Sequence, residues 1–426
     1  MAGLRFTPLA FLLSGFGWLL LASLLGIATL LGLVYGTPLP KWLRTAHVHG
    51  TLVGGLLQLL IGGLLAAMAQ LSSGKQTYHR SHGALYFLFN VGTLTLLAGL
   101  GYGWLPLAGA AGLLLAGALL SVARRAGTQD WAGLIGAPQP AWLYKLSLAT
   151  LFAGLFIGIG LAFQWVTEYA AHARLLHLHL ILLGSVSVLF VVLTHRLFPS
   201  VVRKELAIPL VTRHTALLLL LGFVALLAGF VTSSLRLELA AGGLLVLVVV
   251  AYTVNLLRTW IAAGCPGSAA SDHFLLAALF LALTTILGTL MGANYLSDPP
   301  AFPMGSLHVI GYTHVALIGF LVHSIFGALS YGLPAYLSSA QVPNPKKRVP
   351  YRERLESIMN RWRFVQLIGI SFGTMGIGVL AAWTWSVPLG SPQVQITCWV
   401  SICLLVTGMG AVAAKLAWVT GLRPAE

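Results

Sequence analysis

The sequence predicts an all-α membrane protein whose twelve transmembrane helices form one domain over residues 1–426, with the N- and C-termini in the cytoplasm. Of its 426 residues, 58% are hydrophobic and only 8% are charged, and the mean hydropathy is +0.91. This composition is typical of polytopic membrane proteins and excludes a soluble domain. Over such lengths in lipid, helices satisfy their own backbone hydrogen bonds. Apolar runs of about 20 residues, enough to cross a hydrocarbon core of about 30 Å, lie near residues 9–35, 48–70, 82–103, 105–124, 143–166, 175–197, 210–233, 236–256, 274–295, 307–332, 363–385 and 394–419.

The placement of the charges predicts the orientation of these helices. With the N-terminus inside, twenty of the 24 Lys and Arg residues, Lys415 among them, fall on the cytoplasmic side. This is the positive-inside pattern. The net charge of +15 therefore indicates contact with the membrane surface and not binding of nucleic acid. Segment 346–363 is predicted to anchor at anionic lipid, with a short interfacial helix around Arg352–Arg361; the alternative for this segment is a docking site for a soluble partner. The four cations on the outer side are Lys41, Arg44, Arg174 and Arg236.

Three of the predicted spans, the second, sixth and tenth, carry histidines near their starts in a repeated pattern. Even-numbered spans run from the outside to the inside, so their imidazoles are expected at one depth in the outer third of the membrane. Five residues after the last histidine of each set stands a glycine, and twenty residues after it, in two of the sets, a proline. The histidines are His47 and His49, His177 and His179, and His308 and His314; the glycines are Gly54, Gly184 and Gly319, and the prolines are Pro199 and Pro334.

Intramembrane imidazoles in such a pattern point to metal or haem chemistry. Neutral imidazole is a common ligand of haem iron and of copper. Residues i and i+2 of a helix are about 200° apart, so His47 and His49 cannot both face one partner; one binds while the other supports it or serves a neighbouring site. The repeated glycines suit close helix packing and a flat macrocycle equally well. For single residues such as His323 or His214, the alternative is a core imidazole hydrogen-bonded to a neighbouring helix.

The tenth span resembles a known helix. Segment 311–319, Gly-Tyr-Thr-His-Val-Ala-Leu-Ile-Gly, continuing through 326–334, resembles the tenth helix of the catalytic subunits of haem-copper oxidases and nitric oxide reductases. The resemblance implies that His314, with His49 on the second span, binds a low-spin haem b through two imidazoles. It also implies that His179 lies where this family has its first copper-ligand histidine.

Several features of the family are missing from this sequence. Tyr312 stands where the family has the histidine of the high-spin haem, and the seventh span ends at 230–234 without the adjacent histidine pair of the copper site. We expect no carboxylate within any span, so the sequence shows no residues for a proton channel built on buried carboxylates. The resemblance therefore implies the family's bis-histidine haem site in this chain, but not its usual dinuclear oxygen-reducing site.

Two further site hypotheses remain open. A second haem or a copper ion is a separate possibility, with His47, His177, His179 and His308 as the candidate metal ligands, because a set of imidazoles binds copper or zinc well. Arg44 is the preferred partner for a haem propionate, because guanidinium pairs bidentately with carboxylates. The alternative for Arg44 is snorkelling to the membrane interface.

The sequence therefore predicts a membrane-bound haem b protein. We expect it to take part in respiratory electron transfer, or in oxygen or nitric oxide binding or reduction, in a bacterial or archaeal cytoplasmic membrane. Cytochrome c or other respiratory subunits are the expected protein partners. The alternatives are a histidine-based transporter or metal-handling protein without haem, and a structural subunit whose ligands have decayed. Haem absorbance of the purified protein separates the first class from the second.

Overall fold

The computed structural model describes residues 7–71, 80–127 and 142–424, and in these residues all regular structure is helical. Twelve of the helices that it describes, all except α11, are long and apolar enough to cross a membrane, which confirms the predicted fold class. The helices are α1 (Pro8–Val34), α2 (Lys41–His49, Gly50–Leu57 and Gln58–Leu71), α3 (Arg80–Gly101), α4 (Leu105–Gly127), α5 (Trp142–Ala162), α6 (Ala170–His179, Leu180–Ser187 and Val188–Val202), α7 (Pro209–Thr232), α8 (Leu235–Ala262), α9 (Ala269–Asn294), α10 (Ser306–His314, Val315–Val322 and His323–Gln341), α11 (Pro345–Asn360), α12 (Arg363–Trp383) and α13 (Pro392–Gly421).

Three spans share an unusual backbone. In each of α2, α6 and α10 the middle segment is an eight-residue π-helix. It begins at the residue directly after His49, His179 and His314, respectively. π-Helical residues make up well under about 1% of ordinary proteins and frequently occur at functional sites. The sequence repeat is thus also a repeat of backbone conformation.

In three helical hairpins, a pair of glycines seven residues apart on the first helix packs closely against the second helix. On α3, α7 and α12, a Cβ added to either glycine would lie within 3.2 Å of the following helix. Such bare surfaces allow two membrane helices to approach closely. Since each hairpin follows a helix with a π-segment, the spans form three successive sets of four: α1–α4, α5–α8, and α9, α10, α12 and α13. The pairs are Gly92 and Gly99 against Leu115 and Ala108, Gly222 and Gly229 against Leu245 and Glu238, and Gly369 and Gly376 against Gly408 and Ser401.

Local sequence explains where several helices begin. Ser234 caps α8 by accepting a hydrogen bond from the Leu237 N–H, and Ser268 caps α9 in the same way. Glu238 and Asp272 lie in the first turns of these helices, where a carboxylate suits the helix dipole. The expectation that no span contains a carboxylate is therefore wrong, because both acids lie inside membrane-spanning helices, in the first turn of each. Proline, which fits the first turn, begins α1, α7 and α13 at Pro8, Pro209 and Pro392.

The chain groups by its contacts into two compact units, each described here by itself. In the first, Phe11, Phe89 and Leu115 belong to the apolar core, and Trp18 Nε1 donates to Asn90 Oδ1 at 3.0 Å. The prediction of one domain over 1–426 stays a prediction. The first unit comprises Met1–Pro140, Leu148–Ile181 and Tyr336–Asn344, and the second comprises Ala141–Ser147, Leu182–Ala335 and Pro345–Glu426.

Helix α11 of the second unit is the helix predicted around Arg352–Arg361. It begins earlier than predicted, at Pro345, and ends at Asn360. One side is anchored, since Leu355 is fully buried and the Tyr351 hydroxyl donates to the Leu422 carbonyl at 2.9 Å. The prediction of a helix in this segment is confirmed.

One of the predicted cytoplasmic cations, Lys415, is buried. It lies inside span α13, near its C-terminal end, and is 0% exposed, while its side of the membrane stays a prediction. All ten residues before it in the same helix are uncharged, so hydropathy alone places it near a membrane boundary. Two other predicted cytoplasmic cations, Arg5 and Lys75, lie outside the described residues.

Candidate functional site

The three histidines that precede the π-segments share one hydrogen-bond arrangement. Each ring donates its Nδ1–H to the carbonyl oxygen four residues earlier in its own helix. The distances are 3.0 Å from His49 to Thr45, 2.8 Å from His179 to Leu175 and 2.8 Å from His314 to Ile310. A carbonyl only accepts, so Nδ1 carries the hydrogen, and in a neutral imidazole Nε2 then holds the lone pair.

The glycines five residues after these histidines are covered by aromatic rings of neighbouring helices. A Cβ on Gly54 would lie 2.8 Å from the Trp18 ring. A Cβ on Gly319 would overlap the Phe280 ring, and one on Gly184 would overlap the Phe223 ring. Of the two functions proposed for these glycines, close helix packing is therefore the observed one.

His47 and His177 contact the preceding helix and not their own. His47 Nδ1 donates to the Ala22 carbonyl of α1, and His177 Nδ1 donates to the Gly154 carbonyl of α5, both at 2.7 Å. Each acceptor stands four residues before a glycine that makes room for the ring. A Cβ on that glycine would lie 2.5 Å from His47 at Gly26 and 2.7 Å from His177 at Gly158. The two histidines of each pair thus have different partners, as the 200° rotation predicts.

Tyr312 takes the same place in the third set of helices. It stands two residues before His314, and a Cβ on Gly288 of α9 would lie 2.9 Å from its hydroxyl oxygen. The third set of helices therefore keeps the contact between a ring and a glycine, but the ring is a phenol and not an imidazole. Tyr312 thus corresponds in position to His47 and His177.

His308 differs from the other candidate ligands. Its Nδ1 accepts the Gly305 N–H at 2.9 Å, which caps the start of α10. Its ring stacks on Trp385 with centroids 4.7 Å apart. Because Nδ1 is the acceptor, Nε2 carries the hydrogen, and this atom is buried without a partner among the described residues.

The remaining site predictions concern metal and propionate binding. In the described part of the chain, no three His, Cys, Asp or Glu side chains group as a metal site. Arg44 is exposed and precedes His47 by three residues in α2. Its propionate contact stays a prediction, as does a metal site formed by His47, His177, His179 and His308.

Sequence reasoning missed a buried polar network in the second unit. His323, assigned a core alternative, is indeed fully buried and contacts His273 of α9. His214, given the same alternative, is exposed. The network continues from His273 through Gln366 to Lys415. The available signal was a lone lysine and a lone glutamine, each inside an apolar stretch of a predicted span.

Comparison with known proteins leaves the site to be judged on its own residues. No protein-family model and no curated protein matches this chain. The repeated arrangement around His49, His179 and His314 is therefore the main basis for a functional proposal.

Proposed function

We propose that this chain is a membrane-bound haem b protein, similar to the catalytic subunits of haem-copper oxidases, with His49 and His314 as axial ligands. It takes part in respiratory electron transfer, or in oxygen or nitric oxide binding or reduction. The observation that supports this proposal most is the shared arrangement of His49 and His314: an Nδ1–H given to a backbone carbonyl directly before a π-segment.

The histidines present fit a haem. Metal-bound histidines almost always donate their other N–H to a carbonyl or carboxylate, which fixes the tautomer and the ring orientation. His49 and His314 both do so, and the donated hydrogen leaves the Nε2 lone pair for iron. The haem would supply a redox-active iron whose potential depends on these ligands. The chain holds the rings in place and surrounds them with apolar helices.

The remaining parts of the proposal concern partners and location. Arg44 pairs with a propionate, and cytochrome c or another respiratory subunit exchanges electrons with the haem. A second haem or copper would use His47, His177, His179 and His308. The chain lies in a bacterial or archaeal cytoplasmic membrane, with its termini inside.

A second candidate function is a histidine-based transporter or metal-handling protein without haem. The observation that favours it is the fully buried Lys415 in α13, because ionisable residues inside membrane helices often mark transport pathways. It does not account for the three equivalent histidines in α2, α6 and α10.

Haem and metal content test the proposal. The protein is purified in detergent, its haem is extracted for identification, and iron and copper are measured per chain. We expect haem b with at least about one iron per chain. One low-spin haem without copper would identify an electron carrier, and additional high-spin haem or copper would identify a gas-reactive centre. Purified, folded protein without any haem would contradict the proposal and favour the transporter.

A further inference from the structure

Five polar side chains of the second unit form one hydrogen-bonded chain through its buried interior. Lys415, His273 and His323 are each 0% exposed, and Gln366 is 3% exposed. The chain starts at Lys415 on α13, passes through α12 and α9 to α10, and returns to α12 at Ser371. The distances are 2.6 Å from Lys415 Nζ to Gln366 Oε1, 2.5 Å from Gln366 Nε2 to His273 Nε2, 2.6 Å from His273 Nδ1 to His323 Nδ1, and 3.1 Å from His323 Nε2 to Ser371 Oγ.

The chemistry of the groups fixes the direction of these hydrogen bonds. An ammonium group only donates, so Lys415 obliges the Gln366 oxygen to accept, and the Gln366 amide N–H then faces His273. His273 Nε2 is therefore an acceptor, and its hydrogen lies on Nδ1. That hydrogen is donated to His323 Nδ1, so His323 carries its own hydrogen on Nε2 and gives it to Ser371. All four bonds run in one sense, with both imidazoles neutral.

The lysine end of this chain meets helix α11. Lys415 Nζ also donates to the Met359 carbonyl in the last turn of α11, at 2.9 Å. A small cavity adjoins Lys415 and Gln366 and is lined by Met359 and Ser330, among others. The basic segment that begins α11 is predicted to face the cytoplasm. The lysine end is thus the end nearest to water on that side.

Packing does not explain why these polar groups are retained. A buried ammonium group is costly in a membrane helix, and no carboxylate of the described residues is hydrogen-bonded to the chain. The nearest acid in sequence, Asp272, faces Arg363 instead, at 3.7 Å. Aliphatic side chains would fill the same space at lower cost.

We propose that this chain of side chains is a proton-transfer path from the α11 end into the interior of the second unit. Ser371 passes its hydroxyl proton on to water and receives the Nε2 proton of His323. His323 then takes the Nδ1 proton of His273. Lys415 supplies a proton to His273 Nε2 and regains one from water at the α11 end. The net change is one proton moved, with no covalent bond of the chain altered.

Gln366 separates Lys415 from His273 in this path. An amide does not pass protons as an imidazole does, so the Gln366 side chain must rotate aside before Lys415 can supply His273. After each transfer the two imidazoles hold the opposite tautomers, and they turn back before the next one. The path needs no haem, so the test of the path and the test of the proposed function can fail separately.

Nitrogen-15 NMR of the full-length, histidine-labelled protein in lipid bilayers tests the path. We expect His273 as the Nδ1–H tautomer and His323 as the Nε2–H tautomer, assigned with His273→Phe and His323→Phe. Exchange of both N–H groups with deuterated water should slow by at least about tenfold in Lys415→Met, because the proton donor is lost. Gln366→Glu should accelerate exchange, because a carboxyl group passes protons. Lys347→Met, at an exposed position of α11, should leave the exchange rate unchanged.

Two results would overturn the path. One is equal exchange in the wild type and in Lys415→Met. The other is a pair of imidazoles with reversed or mixed tautomers in the wild type. If Lys415→Met does not fold, Ser371→Ala replaces it, since this change removes only a half-buried hydroxyl. Exchange of both N–H groups should then slow, because the hydroxyl that carries the proton onward is lost, and an unchanged exchange rate would count against the proposal.

Discussion

Alanine at position 314 or 49 is expected to abolish the low-spin haem spectrum. Each substitution removes an imidazole whose Nδ1–H is held by the Ile310 or Thr45 carbonyl, and with it one of the two proposed iron ligands. Haem content should fall to less than about a tenth of the wild-type value, because even outer hydrogen-bond partners of metal ligands change metal affinity by about 10–100-fold. Reduced-minus-oxidised spectra of protein purified to equal amounts provide the measurement.

His179→Ala is the matched control for these two variants. His179 has the same Nδ1 contact and the same following π-segment. Its loss should leave the low-spin spectrum in place and affect only a second metal site, if one exists. His323→Ala should also keep the spectrum, because His323 contacts His273. Unchanged spectra in both His49→Ala and His314→Ala would refute the ligand assignment.

Gly369→Val is expected to destabilise the protein strongly through the hairpin of α12 and α13. A Cβ at Gly369 would lie 2.6 Å from the Leu404 carbonyl oxygen and 2.7 Å from the Gly408 nitrogen. These are backbone atoms, which cannot rotate away as a side chain can, so the two helices must separate. Overpacking of this kind costs up to about 3 kcal/mol, which lowers the apparent melting temperature by roughly 5 °C.

Gly378→Ala is the control on the same helix, because a Cβ there meets nothing within 4 Å. It should melt at the wild-type temperature or slightly above, since alanine is the better helix former. Thermal unfolding in one detergent at one protein concentration compares the variants. Equal melting temperatures for Gly369→Val and the wild type would show that the helices are not held as closely as described.

The sequence alone was sufficient for the number of spans and for the three histidine sets. Spans are recognisable because a length of apolar residues is a direct consequence of bilayer thickness. The start of α9 was less predictable, because Asp272 looks like a loop residue but lies in the first helical turn. The glycine pairs on α3, α7 and α12 are a second repeat that is visible in the sequence, but the prediction used only the histidine repeat.

Other parts of the site depend on contacts between distant residues. The π-segments have no sequence signature comparable to the helical period, so His49, His179 and His314 could be grouped only by spacing. The equivalence of Tyr312 with His47 and His177 becomes visible only through the glycines that these rings cover. Lys415 lies near the end of a long span, where hydropathy suggests an anchor and only packing reveals full burial.

The most direct test of the central claim is the coordination state of the iron in the wild-type protein. Near-infrared magnetic circular dichroism, combined with low-temperature electron paramagnetic resonance of the oxidised protein, identifies the axial ligands of a low-spin haem. We expect a haem b with two neutral imidazole ligands. A histidine–methionine or histidine–thiolate signature, or an iron with only one protein ligand, would contradict the assignment of His49 and His314.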